Sequence, residues 1–370
     1  MAENAHPSDE GATRRHRLAS ECAGACGDLG TFVPHAVGAM TMAGLSPSGV
    51  LFGFGMSLVA AGLFYGIPMA VQPMKAVSAV LLTDQLTPEA MTAAGLIIGV
   101  ILLVLSVTGL IGQVAKLIPQ SVTAGLQLGL GITMGWLGLG MIAAAPWIGV
   151  PALVLLLGVP HLWPQAPVAP LVLMAAVGVG LATGLTTVPE VQGFSLHLPV
   201  LVLPQSWGAA WQAVERAVLP QMPLTLTNAV IITAALCRDL YPDRAGRATV
   251  RNLALTSGVA NLLLAPFGAM PMCHGAGGVA AQHRFGARTG LAPVLFGAVL
   301  LVLALGFADS AAALFAAVPL SAVGALLLVA GTDLALSKRL FDARRDCWPA
   351  IGVAAAATAL LNPALGLVAG

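Results

Sequence analysis

Met270-Pro-Met-Cys-His-Gly-Ala-Gly-Gly-Val-Ala-Ala-Gln282 lies between two long apolar segments and contains no Lys, Arg, Asp or Glu. Its hydropathy therefore places it at membrane depth. It nevertheless carries Pro271, Gly275, Gly277 and Gly278, which weaken or break a helix. Broken backbone inside a bilayer is tolerated only where it is buried in protein or lines a wet cavity. We therefore expect an interrupted helix beside a cavity.

A second stretch, Pro68-Met-Ala-Val-Gln-Pro-Met-Lys-Ala-Val-Ser-Ala-Val80, has the same character. Both stretches begin with Pro-Met, and a little over half of the chain separates them. Two broken segments at corresponding positions of two halves are the best indication, from sequence, of a transporter's substrate site. The pattern thus predicts a transporter built from two repeats, with its site where the broken segments meet.

The composition is that of a membrane protein. Of 370 residues, 58% are hydrophobic and only 8% are charged, and the mean hydropathy is +0.91. Because soluble domains carry about a quarter charged residues, we expect a polytopic helical protein in a lipid bilayer, with roughly twelve to fourteen crossings. The net charge of +1 gives no indication of a nucleic-acid partner, and the five cysteines show no zinc spacing. Neither a metal site nor a cofactor is predicted.

The chain begins with a polar segment, residues 1–17, which shows no cleavable signal pattern and is expected to be a cytoplasmic tail. The first predicted span, 18–40, contains Gly27-Asp-Leu-Gly-Thr-Phe-Val-Pro34 and puts Asp28 at or near membrane depth. A carboxylate there is costly and functional by default. The alternative is that Asp28 caps or pins the helix.

Each broken stretch is expected to contain a short helix that starts in the middle of the membrane. Pro68 ends the second span, 47–67, and the first short helix is predicted over 73–82, with Pro73 in its first turn. The second is predicted over 275–283. Free N–H groups and the helix dipole make both N-termini suited to an anion. Lys75 is unfavourable at such an end unless it has a negative partner; the alternative is that it snorkels to an interface.

The remaining apolar segments complete a two-fold pattern. Further spans are predicted at 90–113, 120–143, 149–159, 168–187, 220–237, 253–267, 291–307 and 311–329, and in a last stretch, 347–370, interrupted at Asn362-Pro363. An amphipathic helix is expected from Ser206. If the N-terminus is inside and each broken segment crosses, the loops rich in Lys and Arg (113–119, 238–251, 283–290 and 332–346) all face the cytoplasm. The two halves then have opposite orientation.

Three motifs resemble those of the molybdate transporter family, which is related to the sulfate permeases: Gly27-Asp-Leu-Gly-Thr31, Gln72-Pro-Met-Lys75 and Pro271-Met-Cys-His-Gly-Ala-Gly-Gly278. The third, which continues through Gln282-His-Arg-Phe-Gly-Ala287, is the most specific. The resemblance spans nearly the whole chain. It implies an all-α polytopic membrane protein with a seven-plus-seven inverted-repeat fold, core and gate domains, and two half-helices meeting mid-membrane.

The resemblance also implies a domain layout. Residues 18–113 and 220–307 would form the core domain, 114–190 and 308–370 the gate domain, and 191–219 an interfacial connector between the repeats. The last stretch, 347–370, is short for two membrane spans. A C-terminal STAS domain, which many sulfate permeases have, is not expected. A homodimer is implied by the same resemblance.

The site residues are those expected to surround a tetrahedral oxyanion. Two half-helix N-termini supply about +0.5 charge each and Lys75 adds +1, near balance for a dianion. Asp28, badly placed beside a dianion if ionised, is expected to bind the transported proton. His274 is as often structural in such a place, and helix–helix hydrogen bonding is the alternative for Asn228. The predicted substrate-binding residues are Asp28, Thr31, Gln72, Met74, Lys75, Ala76, Asn228, His274, Gly275, Ala276 and Gly277.

The predicted function is proton-coupled molybdate import by alternating access across the inner (cytoplasmic) membrane, with the N-terminus in the cytoplasm. Tungstate, sulfate or another anion such as bicarbonate on the same fold, and a passive anion channel, are the alternatives. A nucleobase carrier is disfavoured because the second half offers no obvious carboxylate for a base edge. An intramembrane enzyme is disfavoured because no paired acidic or His motif occurs on the cytoplasmic loops.

Overall fold

The computed structural model of the chain describes residues 7–84, 86–117, 119–163, 166–190 and 192–370. Of the predicted cytoplasmic tail 1–17, residues 1–6 lie outside the described part, and Pro7 begins the first helix. Residue 191, the first of the predicted connector, also lies outside it. The described chain is helical apart from two three-residue strands and the connecting segments.

In its described residues, the first half contains nine helices and one strand. In chain order they are α1 (Pro7–Cys26), α2 (Leu29–Thr41), α3 (Pro47–Tyr65), β1 (Val71–Pro73), α4 (Lys75–Asp84), α5 (Pro88–Thr108), α6 (Ile111–Lys116), α7 (Gln120–Ala144), α8 (Pro146–Leu162) and α9 (Val168–Ala182). Prolines stand at the first turns of α3, α5 and α8, where a missing backbone N–H costs nothing.

The second half repeats much of this order. It contains α10 (Trp207–Leu240), α11 (Val250–Leu264), β2 (Met272–His274), α12 (Ala276–Arg284), α13 (Leu291–Gly306), α14 (Ala308–Ala316), α15 (Leu320–Ala335), α16 (Lys338–Phe341), α17 (Trp348–Leu360) and α18 (Pro363–Ala369). Helix α10 is continuous but includes two π-helical stretches, Val214–Val218 and Thr225–Ile232. Asn362 caps α18 by accepting a hydrogen bond from the N–H of Leu365, so the predicted interruption at Asn362-Pro363 is confirmed.

Both predicted broken segments are confirmed. In each, an extended strand leads directly into a short helix, β1 into α4 and β2 into α12. The two strands pair antiparallel, with Gln72 opposite Cys273 and Val71 opposite His274. This pairing satisfies backbone groups that helix breakage leaves open inside the membrane. It also brings the first turns of the two half-helices to one place, from opposite directions.

The packing of the surrounding helices follows the two-fold pattern. Helix α3 packs along α13, and α5 packs along α11, so that each half contributes one helix to each pair. A separate group forms where α7 packs along α15 and α17. Gly131 lies so close to Gly331 that a Cβ on Gly131 would overlap the carbonyl oxygen of Gly331. Small residues that let backbones approach this closely are typical of helix packing in membranes. The fold is a seven-plus-seven inverted repeat.

The first predicted span, 18–40, is wrong as a continuous helix. Helix α1 ends at Cys26, and α2 starts at Leu29, with a turn at Gly27 and Asp28. Gly27 lies against α12, where a Cβ would come within 3.0 Å of the backbone of Ala281. Asp28 makes no side-chain cap on α2. The turn therefore places Asp28 close to the broken segments, and the capping alternative does not hold.

The predicted boundary of the connector needs correction as well. Residues from Trp207 belong to α10, a 34-residue helix that is long and apolar enough to cross the membrane. The span expected from Pro220 therefore starts well before that residue, and the extended part of the connector ends at Ser206. The span predicted over 311–329 is also interrupted, because α14 ends at Ala316 and Pro319 precedes α15.

Within the described residues, four helices are long and apolar enough to span a membrane alone: α3, α5, α7 and α10. A fifth span is formed if α13 and α14 are taken together, although they meet at an angle of 99°. Three further apolar helices among the described residues, α8, α9 and α15, have 10–17 residues. Large apolar side chains are exposed around the outside of the molecule, as lipid contact requires, among them Leu63, Val154, Met174 and Leu263.

Candidate functional site

A cavity of about 250 Å³ lies where the paired strands meet the half-helices. Seven of the predicted site residues border it: Gln72, Lys75, Asn228, His274, Gly275, Ala276 and Gly277. Residues from α7, α10 and α15 close the other sides. The structure therefore brings together most of the residues that the sequence singled out, at the end of both broken segments.

The first turn of α12 is open toward this cavity. Gly275 is the N-cap and offers no side-chain cap. The first hydrogen bond of the helix runs from the N–H of Val279 to the carbonyl of Gly275. This leaves the N–H groups at the start of the helix, including those of Ala276 and Gly277, as donors beside the cavity. They form an arrangement suited to an anion.

The first turn of α4 is closed by a side chain from α10. Gln221 Oε1 accepts hydrogen bonds from the backbone N–H groups of Ala76, at 2.9 Å, and Val77, at 3.3 Å. The N–H of Met74 donates to the carbonyl of Pro271, at 3.0 Å. Met74 and Ala76 are also fully buried. The prediction that their backbone donors hold the substrate is therefore not met in this structure, because protein acceptors occupy them.

Asp28 lies behind the cavity rather than on it. It is fully buried and borders neither of the cavities near the half-helices. Its Oδ1 accepts a hydrogen bond from Nε2 of Gln72, and its Oδ2 has no partner among the described residues. The predicted direct contact between Asp28 and a substrate is not supported by this position, because only its partner Gln72 borders the cavity.

Two glycines of the third motif make room for Gln72. A Cβ on Gly275 would overlap Oε1 of Gln72, and one on Gly278 would lie 2.5 Å from its Nε2 and 2.6 Å from Oδ1 of Asp28. Only glycine allows such a close approach of α12 to the Gln72–Asp28 pair. The Gly-rich motif therefore serves both the break in the helix and the position of this buried pair.

The ring of His274 is held by protein groups on both sides. Its Nδ1 lies 3.1 Å from the carbonyl oxygen of Ala70, and its Nε2 lies 2.7 Å from Oγ1 of Thr256. Tyr65 donates to or accepts from the same Thr256 hydroxyl at 2.7 Å. With both nitrogens occupied, the ring supports the strand β2 and does not offer a donor to the cavity. The structural alternative for His274 is the one this geometry favours.

Lys75 faces two adjacent cavities. The second, of about 410 Å³, is bordered by Lys75, Thr31 and His35 on the α2 and α4 side, and by Asp333 on α15. Asp333 also borders the first cavity, so the two charged residues share both spaces. In the part of the chain that the structure describes, Lys75 forms no salt bridge, since the two ion pairs found are His197–Asp309 and Arg344–Asp346. Its charge is thus available beside the open end of α12.

Sequence reasoning missed three residues that the structure places at the site. Gln127 of α7 and Asp333 of α15 border the cavity, and Gln221 closes α4. The signal for Gln127 and Gln221 was a lone amide within an otherwise apolar helix, which is costly in a membrane unless it has a use. Asp333 falls within the predicted loop 332–346, whereas the structure places it in α15.

Asn228 is hydrogen-bonded to a residue of the basic segment 332–346. Its Oδ1 accepts a hydrogen bond from Nη2 of Arg339 in α16, at 2.8 Å. This bond joins α10 to the segment that connects α15 and α17.

Among the residues that the structure describes, no group of three or more His, Cys, Asp or Glu side chains lies together as a metal site.

The fold matches solved anion transporters. The transmembrane domain of a cyanobacterium bicarbonate transporter, BicA, superimposes with a TM-score of 0.72 over 95% of this chain and 97% of that one, at 17% identity. The overall structure of SLC26A9 gives a TM-score of 0.70 over 96% of this chain and 64% of that one, at 12% identity. At these identities the likeness establishes the seven-plus-seven inverted-repeat fold, with its core and gate domains.

The sequence matches transporters more closely. It is 30% identical to Molybdate transporter 2 of Arabidopsis thaliana over 96% of this chain and 86% of that protein. It is 31% identical to Molybdate transporter 1 of the same plant, over 96% and 87%. The profile of the family described as "Molybdate transporter of MFS superfamily" matches residues 20–134 and 213–334, which include all the broken segments. The chain is therefore a transporter, not an enzyme, and it belongs to the molybdate transporter family.

Proposed function

We propose that this protein imports molybdate, and that the dianion binds in the cavity between the open end of α12 and Lys75. The observation that carries the proposal is the coincidence of these two positive groups on one cavity, with no protein anion paired to Lys75 among the described residues. The family relationship supports molybdate as the substrate. Tungstate, which has the same shape and charge, is expected to compete.

The electrostatics favour a position near α12. The helix end contributes about half a positive charge and Lys75 a full one. The end of α4 is occupied by the neutral amide of Gln221, which reduces its contribution. Asp333 on the opposite side repels an anion, so the substrate is expected to lie away from α15. The arrangement is asymmetric, although the fold is an inverted repeat.

A proton is proposed to travel with the substrate on Asp28. This carboxyl group is fully buried, with one oxygen bonded to Gln72 and the other without a described partner. An ionised carboxylate left partly unsatisfied in a membrane is costly, so the protonated form is favoured there. Since Gln72 borders the cavity, it connects the proton site to the substrate.

Transport itself is proposed to occur by alternating access, with the core domain (18–113 and 220–307) moving against the gate domain (114–190 and 308–370). The positive loops support a cytoplasmic N-terminus in the cytoplasmic membrane. Assembly as a homodimer remains a prediction from the relationship to the sulfate permeases.

The test is uptake of labelled molybdate into vesicles containing the purified protein, with tungstate and sulfate as competitors. We expect saturable uptake that tungstate inhibits more strongly than sulfate. Lys75→Ala should reduce uptake at least tenfold, because it removes a charge-assisted contact, and Lys75→Arg should retain part of it. Lys116→Ala, at an exposed position of α6, is the control. Uptake that does not saturate indicates a channel, and preferential inhibition by sulfate contradicts molybdate as the substrate.

A further inference from the structure

We propose that Gln127 of α7 is a substrate-binding residue that completes the oxyanion site from the gate side and favours molybdate over sulfate. This inference rests on the proposed function. It adds a ligand from the proposed gate domain, to which no substrate-binding residue has been assigned, and it gives that ligand a role in specificity.

The first observation is the position of Gln127. It borders the same cavity as Lys75, Ala276 and Gly277. Helix α7 packs against α4 on one side and against α15 and α17 on the other. Gln127 is therefore at the surface where the half-helices of the core face the helices assigned to the gate.

The second observation is the absence of a protein partner. Gln127 is 4% exposed, and its Oε1 has no hydrogen-bond partner among the described residues. Two hydroxyls on the same helix are satisfied locally, since Thr123 donates to the carbonyl of Pro119 and Thr133 donates to that of Leu130. Gln127 thus differs from its neighbours on α7.

A comparison with the other amides at the cavity strengthens this point. Gln72 bonds Asp28, Gln221 bonds the first turn of α4, and Asn228 bonds Arg339. Each of these has a protein partner, whereas Gln127 lacks one for its oxygen in the described structure. A buried amide without a partner is unfavourable for folding. An oxyanion in the cavity cannot donate to Oε1, but it can accept hydrogen bonds from the Nε2 hydrogens, so the amide gains a partner when the site is occupied.

The chemistry of an amide suits this role. Its two N–H bonds donate to oxyanion oxygens without adding a charge, so the charge balance set by α12 and Lys75 is unchanged. An anion held by α12 on one side and by Gln127 on the other links the two domains through the substrate. Because molybdate is larger than sulfate, it reaches donors on different walls of one cavity more readily, so a second donor on Gln127 favours the larger ion.

The experiment uses the full-length protein in detergent, with binding of sodium molybdate and sodium sulfate measured by calorimetry and stability measured by thermal unfolding. The variant Gln127→Leu removes the donors and keeps a similar volume. We expect it to unfold, without ligand, at the same temperature as the wild type or higher. Its molybdate affinity should be weaker by roughly tenfold or more, as for loss of a hydrogen bond to a charged group. Its sulfate affinity should fall less.

The matched control is Gln120→Leu, which makes the same change at an exposed position of α7 and should bind as the wild type does. Molybdate binding by Gln127→Leu that equals the wild type overturns the inference. So does a variant that unfolds at a lower temperature and loses affinity for both ions equally, since this indicates a structural role. If the wild type binds sulfate but not molybdate, the proposed substrate is wrong, and unchanged sulfate binding by Gln127→Leu then overturns the role of Gln127 as well.

Discussion

Gln221 Oε1 accepts a hydrogen bond from the backbone N–H of Ala76 at 2.9 Å, so that a side chain of α10 caps a half-helix in the middle of the fold. The amide is oriented by Thr225, whose Oγ1 accepts from Nε2 of Gln221 at 2.9 Å. The other half-helix, α12, starts at the N-cap Gly275, and no side chain in the described part of the chain caps its first turn. The two helix ends that sequence symmetry makes equivalent are therefore chemically different in the structure.

This relationship predicts the effect of Gln221→Glu. A carboxylate at the first turn of α4 interacts favourably with the helix dipole, so the variant should unfold at the same temperature or higher. The added negative charge lies beside the cavity, and molybdate affinity should therefore fall at least tenfold. Thermal unfolding and calorimetric binding measure the two effects. Gln212→Glu, earlier on the same helix, is the control. Unchanged affinity in Gln221→Glu would place the anion away from α4.

The second prediction concerns Asp28. If its carboxyl group carries the coupled proton, Asp28→Asn should still bind molybdate, since Asp28 does not border the cavity. Uptake by the wild type should rise as the external pH falls, and uptake by the variant should be slow and independent of pH. The measurement is uptake of labelled molybdate at several pH values. Asp239→Asn, at an exposed position, is the control. Uptake in Asp28→Asn that equals the wild type at every pH would contradict proton binding at this residue.

The third prediction uses the tight space around Gln72. In Gly275→Ala, the new Cβ meets the side-chain amide of Gln72, which must move away from Asp28. We expect loss of most uptake, with a lower unfolding temperature. Gly140→Ala in α7 is a suitable control, because nothing lies within 4 Å of the added Cβ. The idea fails if Gly275→Ala transports at the wild-type rate.

The fourth prediction separates a structural histidine from a substrate ligand. His274→Ala removes a buried hydrogen bond to Ala70 and a partly buried one to Thr256, and should lower the free energy of unfolding by about 2–4 kcal/mol. The protein that remains folded should keep the wild-type KM for molybdate. His161→Ala, at an exposed position of α8, should change neither quantity. A raised KM with unchanged stability would instead assign His274 to the substrate.

The sequence predicts the structure best where particular residues prevent the backbone from continuing as a helix. Pro73, Gly275 and their neighbours cannot continue a membrane helix, and a break in a bilayer requires a cavity or a partner, so both half-helices and their meeting point were predictable. The distribution of Lys and Arg over the loops gave the opposite orientation of the halves. Lys75 stood out because a cation is unfavourable at the start of a helix.

The tertiary structure alone decided which donors are free. Gln221 and Ala76 are far apart in the chain, and no periodicity or motif indicates that one caps the other. The positions of Gln127 and Asp333 on the cavity likewise depend on how α7 and α15 pack against the half-helices. Propensity and hydropathy act over neighbouring residues, whereas a hydrogen bond between distant segments depends on their packing in three dimensions. The sequence therefore predicted a cavity between two half-helices, and only the packed helices determined which groups line it.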